Sequence, residues 1–139
     1  NLRGIKQWLV TTSAKSAVES LLTYKNKISL NSFEGIITAE DCQRLKPDPQ
    51  PYSLALSKSL INRQYVISIE DSFQGLMSSV KAGLKCMVTR NSWDKRPISD
   101  FTSAVSVVDQ LGDPLSPCRI FKGPTCPNGQ ITFEYLMSL

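Results

Sequence analysis

Residues 65–72 read Tyr65-Val66-Ile67-Ser68-Ile69-Glu70-Asp71-Ser72. An apolar, β-branched run passes without a break into two carboxylates and a hydroxyl, the pattern of a buried strand that ends in a polar turn. Residues 73–82 then carry a helical pattern closed by Gly83, a C-terminal stop signal, and residues 84–88 form a second apolar strand. Strand, polar turn, helix and strand in this order make a βαβ unit, which implies a parallel sheet.

The same alternation extends to both sides. Upstream, residues 6–12 make a short apolar strand ending in Thr11 and Thr12. The segment 13–24 places Ala14, Ala17, Val18, Leu21 and Leu22 at helical spacing, with Ser13 as the expected cap. Residues 35–39 make another strand. Lys46-Pro47-Asp48-Pro49 forces an extended turn, because each proline disfavours helix at the residue before it. Asp48 is placed to cap a helix over 49–60, with Pro49 in its first turn. Downstream, 91–101 reads as a polar loop and 104–108 as a weaker strand. Residues 114–129 hold four of the eight prolines and read as an irregular connection, followed by a helix over 131–139. The expected architecture is α/β, a Rossmann-like parallel sheet with helices on both faces. Residues 1–112 form its core, and 113–139 a Pro/Gly-rich connection and helix packed on it.

Composition removes several functions. Among 139 residues there is no histidine, which excludes Ser-His-Asp and Cys-His nucleophile systems and His-ligated metals. A net charge of +4 spread over scattered lysines and arginines leaves no footprint for nucleic acid. No apolar stretch approaches the roughly 18–20 residues that span a bilayer, and no charged-then-apolar leader is visible. The expectation is a cytoplasmic protein, or one of an organelle stroma if a targeting segment has been removed. The four cysteines form no Cys-x-x-Cys pair and read best as small buried residues in a reducing compartment, although two disulfides stay possible on count alone. Cys118 and Cys126, in the Pro/Gly-rich segment, stand apart as a pair.

In open parallel sheets, ligands bind beyond the carboxyl ends of the strands. Three polar groups fall at such ends here. Thr11, Thr12 and Ser13 offer hydroxyls beside helix-opening N–H groups, suited to a phosphate oxygen. Lys46 could neutralise a transferring phosphoryl group. Glu70 and Asp71 are hard oxygen ligands suited to Mg²⁺. Each has a plainer reading: Thr11–Ser13 as a helix cap, Lys46 as a solvated turn lysine, Glu70-Asp71-Ser72 as capping of the next helix. The weight lies in the order of hydroxyl, lysine and acid pair, each at a strand end.

With these residues in view, 9–90 resembles the haloacid dehalogenase superfamily of phosphohydrolases and phosphomutases, in its β-phosphoglucomutase-like or CbbY-type subgroup. The resemblance rests on Leu9-Val10-Thr11-Thr12-Ser13, Ala39-Glu40-Asp41, Arg44-Leu45-Lys46-Pro47-Asp48-Pro49 with Tyr52, and Ile69-Glu70-Asp71-Ser72 with Gly75, Ala82 and Gly83. It implies that Thr11, with Thr12 as the alternative, hydrogen-bonds the phosphoryl group. It implies that Lys46 stabilises charge on the phosphoryl oxygens and the nucleophile. Asp71 would ligate Mg²⁺, with Glu70 acting directly or through a coordinated water. Transfer in the family runs through an aspartyl-phosphate.

The family's nucleophile lies in an Asp-x-Asp element on a strand that precedes everything seen here, and no two of the seven aspartates have that spacing. The helical cap usually inserted after that strand is also missing. The resemblance therefore implies the carboxy-terminal part of a core, without its first strand. The parent would be a Mg²⁺-dependent phosphatase or phosphomutase acting on a small phosphorylated metabolite, such as a sugar phosphate, and this chain would be inactive alone. The family places the missing strand mid-sheet, so the chain should be completed by that segment or self-associate. A non-catalytic binding or interaction domain that keeps an anion site is the alternative.

Overall fold

The computed structural model describes residues 4–24 and 28–139. Six strands and four α-helices follow one another as β1 (Trp8–Val10), α1 (Lys15–Thr23), β2 (Gly35–Ile37), α2 (Gln50–Ser59), β3 (Ile67–Glu70), α3 (Phe73–Lys81), β4 (Lys85–Thr89), β5 (Ser106–Val108), β6 (Ile120–Lys122) and α4 (Phe133–Ser138). The α/β architecture is the expected one, with two departures. The strands divide into a two-stranded sheet, β1-β2, and a four-stranded sheet ordered β3-β4-β5-β6. The pairs β1-β2, β3-β4 and β4-β5 are parallel, whereas β6 runs antiparallel to β5. Residues 114–129 thus contain a strand where an irregular connection was expected. Three residues among prolines carry too little alternation to show as one.

Parallel pairing sets which side chains share a face. Ser68, Cys86, Val88 and Val107 turn toward α3, where Leu76, Phe101 and Ala104 complete a core with almost no exposed surface. Phe73 and Phe101 meet edge to face, 6.1 Å between ring centroids. Phe101 closes a short 3-10 helix, Ile98–Phe101, inside the stretch read as a polar loop. Met87 and Ser106 turn to the other face, where the Tyr135 hydroxyl of α4 lies 2.8 Å from the Ser106 hydroxyl. The carboxy-terminal helix therefore packs on the sheet.

Strand β3 begins two residues later than the sequence pattern suggests. The Asn62 side chain accepts from the Gln64 N–H and opens a 3-10 turn over Arg63–Tyr65, which leaves Tyr65 exposed. The halves are joined by α2, whose Tyr52 and Leu56 pack with Val10 of β1 and with Val66, Ala82 and Leu84, which flank the strands and helix of the larger sheet. Between the halves, two strand edges are open. Thr11 N–H and Gln7 C=O are spent on β2, through Ile37 C=O and Glu34 N–H. Because backbone groups alternate sides along a strand, those of Trp8 and Val10 point to the other edge, facing β3. Among the described residues strand β3 pairs with β4 alone, and Ile69 on it is 45% exposed.

Candidate active site

A cleft of about 430 Å³ opens where these two edges end, lined by Leu9, Val10, Thr11, Thr12, Ser13, Lys46, Ile69, Glu70, Asp71, Ser72 and Thr89. All six residues singled out from the sequence meet there, because parallel strands deliver their carboxyl ends to one side.

Lys46 forms the floor. The turn before α2 carries its side chain inward, where its Nζ donates to Val10 C=O at 2.8 Å and to Glu70 Oε1 at 2.5 Å. Its ammonium also lies 5.2 Å from the Tyr52 ring centroid. With side-chain exposures of 11% and 6%, the Lys46–Glu70 pair is buried. Removing either member would strand the other charge in a poorly solvated place. An ammonium has three donors, and among the described residues two are accounted for, so one is left for a ligand.

Glu70 is held from three sides. Besides Lys46, it accepts a hydrogen bond from the Tyr52 hydroxyl. Burial first, and the neighbouring carboxylate second, push the Tyr52 phenol far above its ordinary range, so it keeps its proton and donates. The third side is Gly75 in the first turn of α3, where any Cβ would collide with the Glu70 carboxylate. That contact also sets the carboxylate against the positive end of a helix. In this chain the Glu70 carboxylate is thus turned to Lys46 and Tyr52. Asp71, one residue on, is exposed at the cleft, and its C=O accepts from the Asn91 side chain at 3.4 Å.

The rim hydroxyls differ among themselves. Thr11 is half-buried and its Oγ1 accepts from the Ser13 N–H at 3.1 Å, while Thr12 and Ser13 are exposed. Ser13 is not the cap of α1. Ala14 holds that position without a side-chain cap, and the Glu40 carboxylate reaches across to accept from the Lys15 N–H at 3.1 Å. The Glu40 carboxyl is held below the usual carboxylate range by its own N–H and then by that of Lys15. The capping at the start of α3 comes from Ser72, whose Oγ accepts from the Gly75 N–H at 3.1 Å. At α2 the N-cap position falls on Pro49, one residue later than expected, and Asp48, just before it, accepts from the Gln50 N–H at 2.9 Å.

Two contributors carried no signal for their position. A lone tyrosine in an amphipathic helix reads as core, so nothing in Tyr52 announces a bond to Glu70. Glu40 caps a helix 25 residues upstream, beyond any local pattern. A second hollow of similar volume lies between α1 and the turn after β2, but its acids serve the backbone: Glu40 takes Lys15 N–H and Asp41 takes Thr38 N–H.

Among the described residues no three of His, Cys, Asp and Glu gather to hold a metal. With Glu70 committed to Lys46 and Tyr52, Asp71 is a single available carboxylate, and one carboxylate does not make the octahedral oxygen shell of Mg²⁺. The residues of this chain alone do not fit a magnesium site.

Comparison with known proteins agrees with the geometry. The family described as haloacid dehalogenase-like hydrolase matches residues 1–89. A haloacid dehalogenase-like hydrolase domain-containing protein of Arabidopsis thaliana is 29% identical over 113 residues, covering 79% of this chain and 34% of its own length. Validoxylamine A 7'-phosphate phosphatase of Streptomyces hygroscopicus is 30% identical over 92 residues, covering 66% of this chain and 42% of its own. The crystal structure of CbbY from Rhodobacter sphaeroides in complex with phosphate superposes with a TM-score of 0.70 at 27% identity, over 77% of this chain and 47% of that one. The chain thus spans less than half the length of each. No helix among the described residues is long and apolar enough to cross a membrane. With the hydroxyls, lysine and acid pair brought to one cleft and this family matched over most of the chain, the chain belongs to the haloacid dehalogenase-like hydrolases, in their CbbY-type subgroup.

Proposed function

We propose that this chain supplies the phosphate-handling side of a phosphatase or phosphomutase site that acts on a small phosphorylated metabolite, with a sugar phosphate as the simplest substrate class. The observation that carries the reading is the Lys46 ammonium, fixed at the cleft floor between Val10 C=O and Glu70 with one donor in hand. A fixed cation in a partly dry cleft stabilises charge on a transferring phosphoryl group without having to reorganise. Thr11, with Thr12 and Ser13 beside it, would hold the phosphoryl oxygens by hydrogen bonds. Glu70 keeps the lysine charged and in place, and Tyr52 with Gly75 keeps Glu70 in place.

The nucleophile is expected from outside this chain. The open edges of β1 and β3 flank the cleft, and one parallel strand between them would join the two sheets. In the reading taken from the family, a carboxylate on that strand attacks phosphorus and the bond to the leaving oxygen breaks. Water then releases phosphate from the acyl-phosphate, or the phosphoryl group passes to another hydroxyl. Magnesium would belong only to a completed site, where Asp71 could be one ligand and the inserted strand would have to supply others. A separate chain or a second copy in the gap would equally complete the sheet.

The test uses the longer protein that includes the completing strand. Lys46→Ala and Asp71→Ala should each lower phosphate release from a sugar phosphate by 10²-fold or more, in line with the loss of one preorganised electrostatic group. Asp71→Ala should in addition raise the Mg²⁺ concentration needed for half-maximal rate. Phosphate binding with no turnover in the unaltered protein would instead favour the non-catalytic anion-binding domain.

A further inference from the structure

Cys118 and Cys126 lie on either side of β6, the strand at the opposite edge of the sheet from β3. Eight positions apart, they are brought together by a backbone clasp. Cys118 N–H donates to Gly129 C=O at 2.7 Å, and Gly129 N–H donates to Cys126 C=O at 2.9 Å. The clasp has little room to shift. Gly129 has φ +61°, and a Cβ on it would strike Pro117. A Cβ on Gly112 would strike the Gly129 carbonyl that receives Cys118. Within the clasp Cys126 Sγ donates to Gln130 C=O at 2.9 Å. Burial, then the Cys126 sulfur, push the Cys118 thiol above its usual range.

The other two cysteines set a contrast. Cys86 is fully buried in the main core, where burial pushes its thiol up to about 11, and Cys42 stands alone after the turn that follows β2. Both members of the Cys118/Cys126 pair are half-buried, so a small reagent can reach them.

We propose that Cys118 and Cys126 are a redox-active dithiol that closes to an intramolecular disulfide by exchange with a low-molecular-weight disulfide of the glutathione class. One cysteine thiolate attacks a sulfur of the disulfide RSSR, whose S–S bond breaks and releases RS⁻. The second cysteine thiolate attacks the protein sulfur of the mixed disulfide and releases the second RS⁻. The two protons given up by the cysteines end on the two released thiolates, so two protein thiols are oxidised while RSSR is reduced to two RSH. Closure would tie both ends of β6 together and fix the segment that carries α4, whose Tyr135 hydroxyl donates to Pro124 C=O at 3.2 Å. The site is independent of the cleft and uses none of its residues.

The test is made on the native full-length protein in oxidised glutathione, followed by acid quench, alkylation and peptide mass mapping. The expected result is a loss of two hydrogens confined to the linked Cys118 and Cys126 peptides, with Cys42 and Cys86 alkylated, so that the free thiols of this chain fall from four to two. The thermal midpoint should rise on oxidation and return on reduction. Cys118→Ser and Cys126→Ser should each abolish both changes. A stable glutathione adduct on one cysteine, or the same mixture of pairings in native protein as in urea, would overturn the proposal whether or not the serine variants fold.

Discussion

In the four-stranded sheet, Cys86, Met87, Val88, Val107 and Val108 are wholly out of solvent, as are Leu76 and Phe101 packed beside them. In the two-stranded sheet only Ile37 is, and all three residues of β1 are half-buried. The difference follows from neighbours. Strands β4 and β5 have a partner on each side and cover on both faces, from α3 and from α4. Strand β1 has one partner, and its other edge looks into the cleft. What joins the halves is α2 and the ion pair of Lys46 with Glu70, so the candidate site and the seam of the molecule are the same place. A binding site is often drawn from the least secured part of a fold, and here the insecurity has a structural source in two open strand edges.

Native-state hydrogen exchange on the isolated chain tests the difference between the two sheets most directly. Amides of β4 and β5 should open only with global unfolding, whereas those of β1 and β2 should exchange at least about tenfold faster through local opening. The chain should also form larger species as concentration rises, since unpaired edges recruit other chains. Extending the chain by a strand that fills the gap should slow β1 and β2 exchange and suppress association. Equal protection in both sheets of a concentration-independent monomer would show that the open edges carry no such weakness.

The same contrast explains what could be read from the residues. The βαβ unit from β3 to β4 is plain in the sequence because a fully buried strand needs an unbroken apolar run, and a helix closed by Gly83 needs a residue that tolerates φ +81°. The cleft is legible for a related reason: Thr11, Lys46 and Asp71 stand at element ends, where parallel topology forces convergence. The interior of the site is not legible. That Glu70 faces Lys46 and Tyr52 depends on which face of β3 is turned to α3, a matter of register rather than of residue type. β6 is hidden for the opposite reason, since its pairing with β5 is long-range and only three residues deep.

Gly75→Ala tests the seam itself, with a smaller effect. The added Cβ meets the Glu70 carboxylate, which Lys46 and Tyr52 hold in place. Overpacking of this kind costs about 1–3 kcal/mol, less the modest gain in helix propensity from replacing glycine. Chemical denaturation should show a lower midpoint at unchanged slope. The exchange of β1 and β2 should accelerate more than that of β5, because the displaced carboxylate pulls Lys46 from Val10. A uniform acceleration would mean that the seam is no softer than the core.

The smallest effect is confined to the weaker half. At the end of β2 the Asp41 carboxylate accepts from the Thr38 N–H at 2.8 Å and from the Thr38 hydroxyl at 3.0 Å, closing a capping box around a 3-10 turn. The Thr38 N–H, then its hydroxyl, hold the Asp41 carboxyl below its usual range. A carboxyl whose folded pKa is depressed contributes stability that is present above its unfolded pKa and is lost as pH falls through the folded value. Asp41→Asn keeps an acceptor but loses the charge, and should cost about 0.5–1 kcal/mol, the lower part of the range for cap removal. Because β2 lies in the half that opens locally, the loss should appear in the exchange of the β2 amides and barely move the global midpoint. The variant and the unaltered chain should converge below the usual Asp range, where both carry a neutral group at this position. A full loss in the global midpoint instead would mean that β2 unfolds only together with β4 and β5.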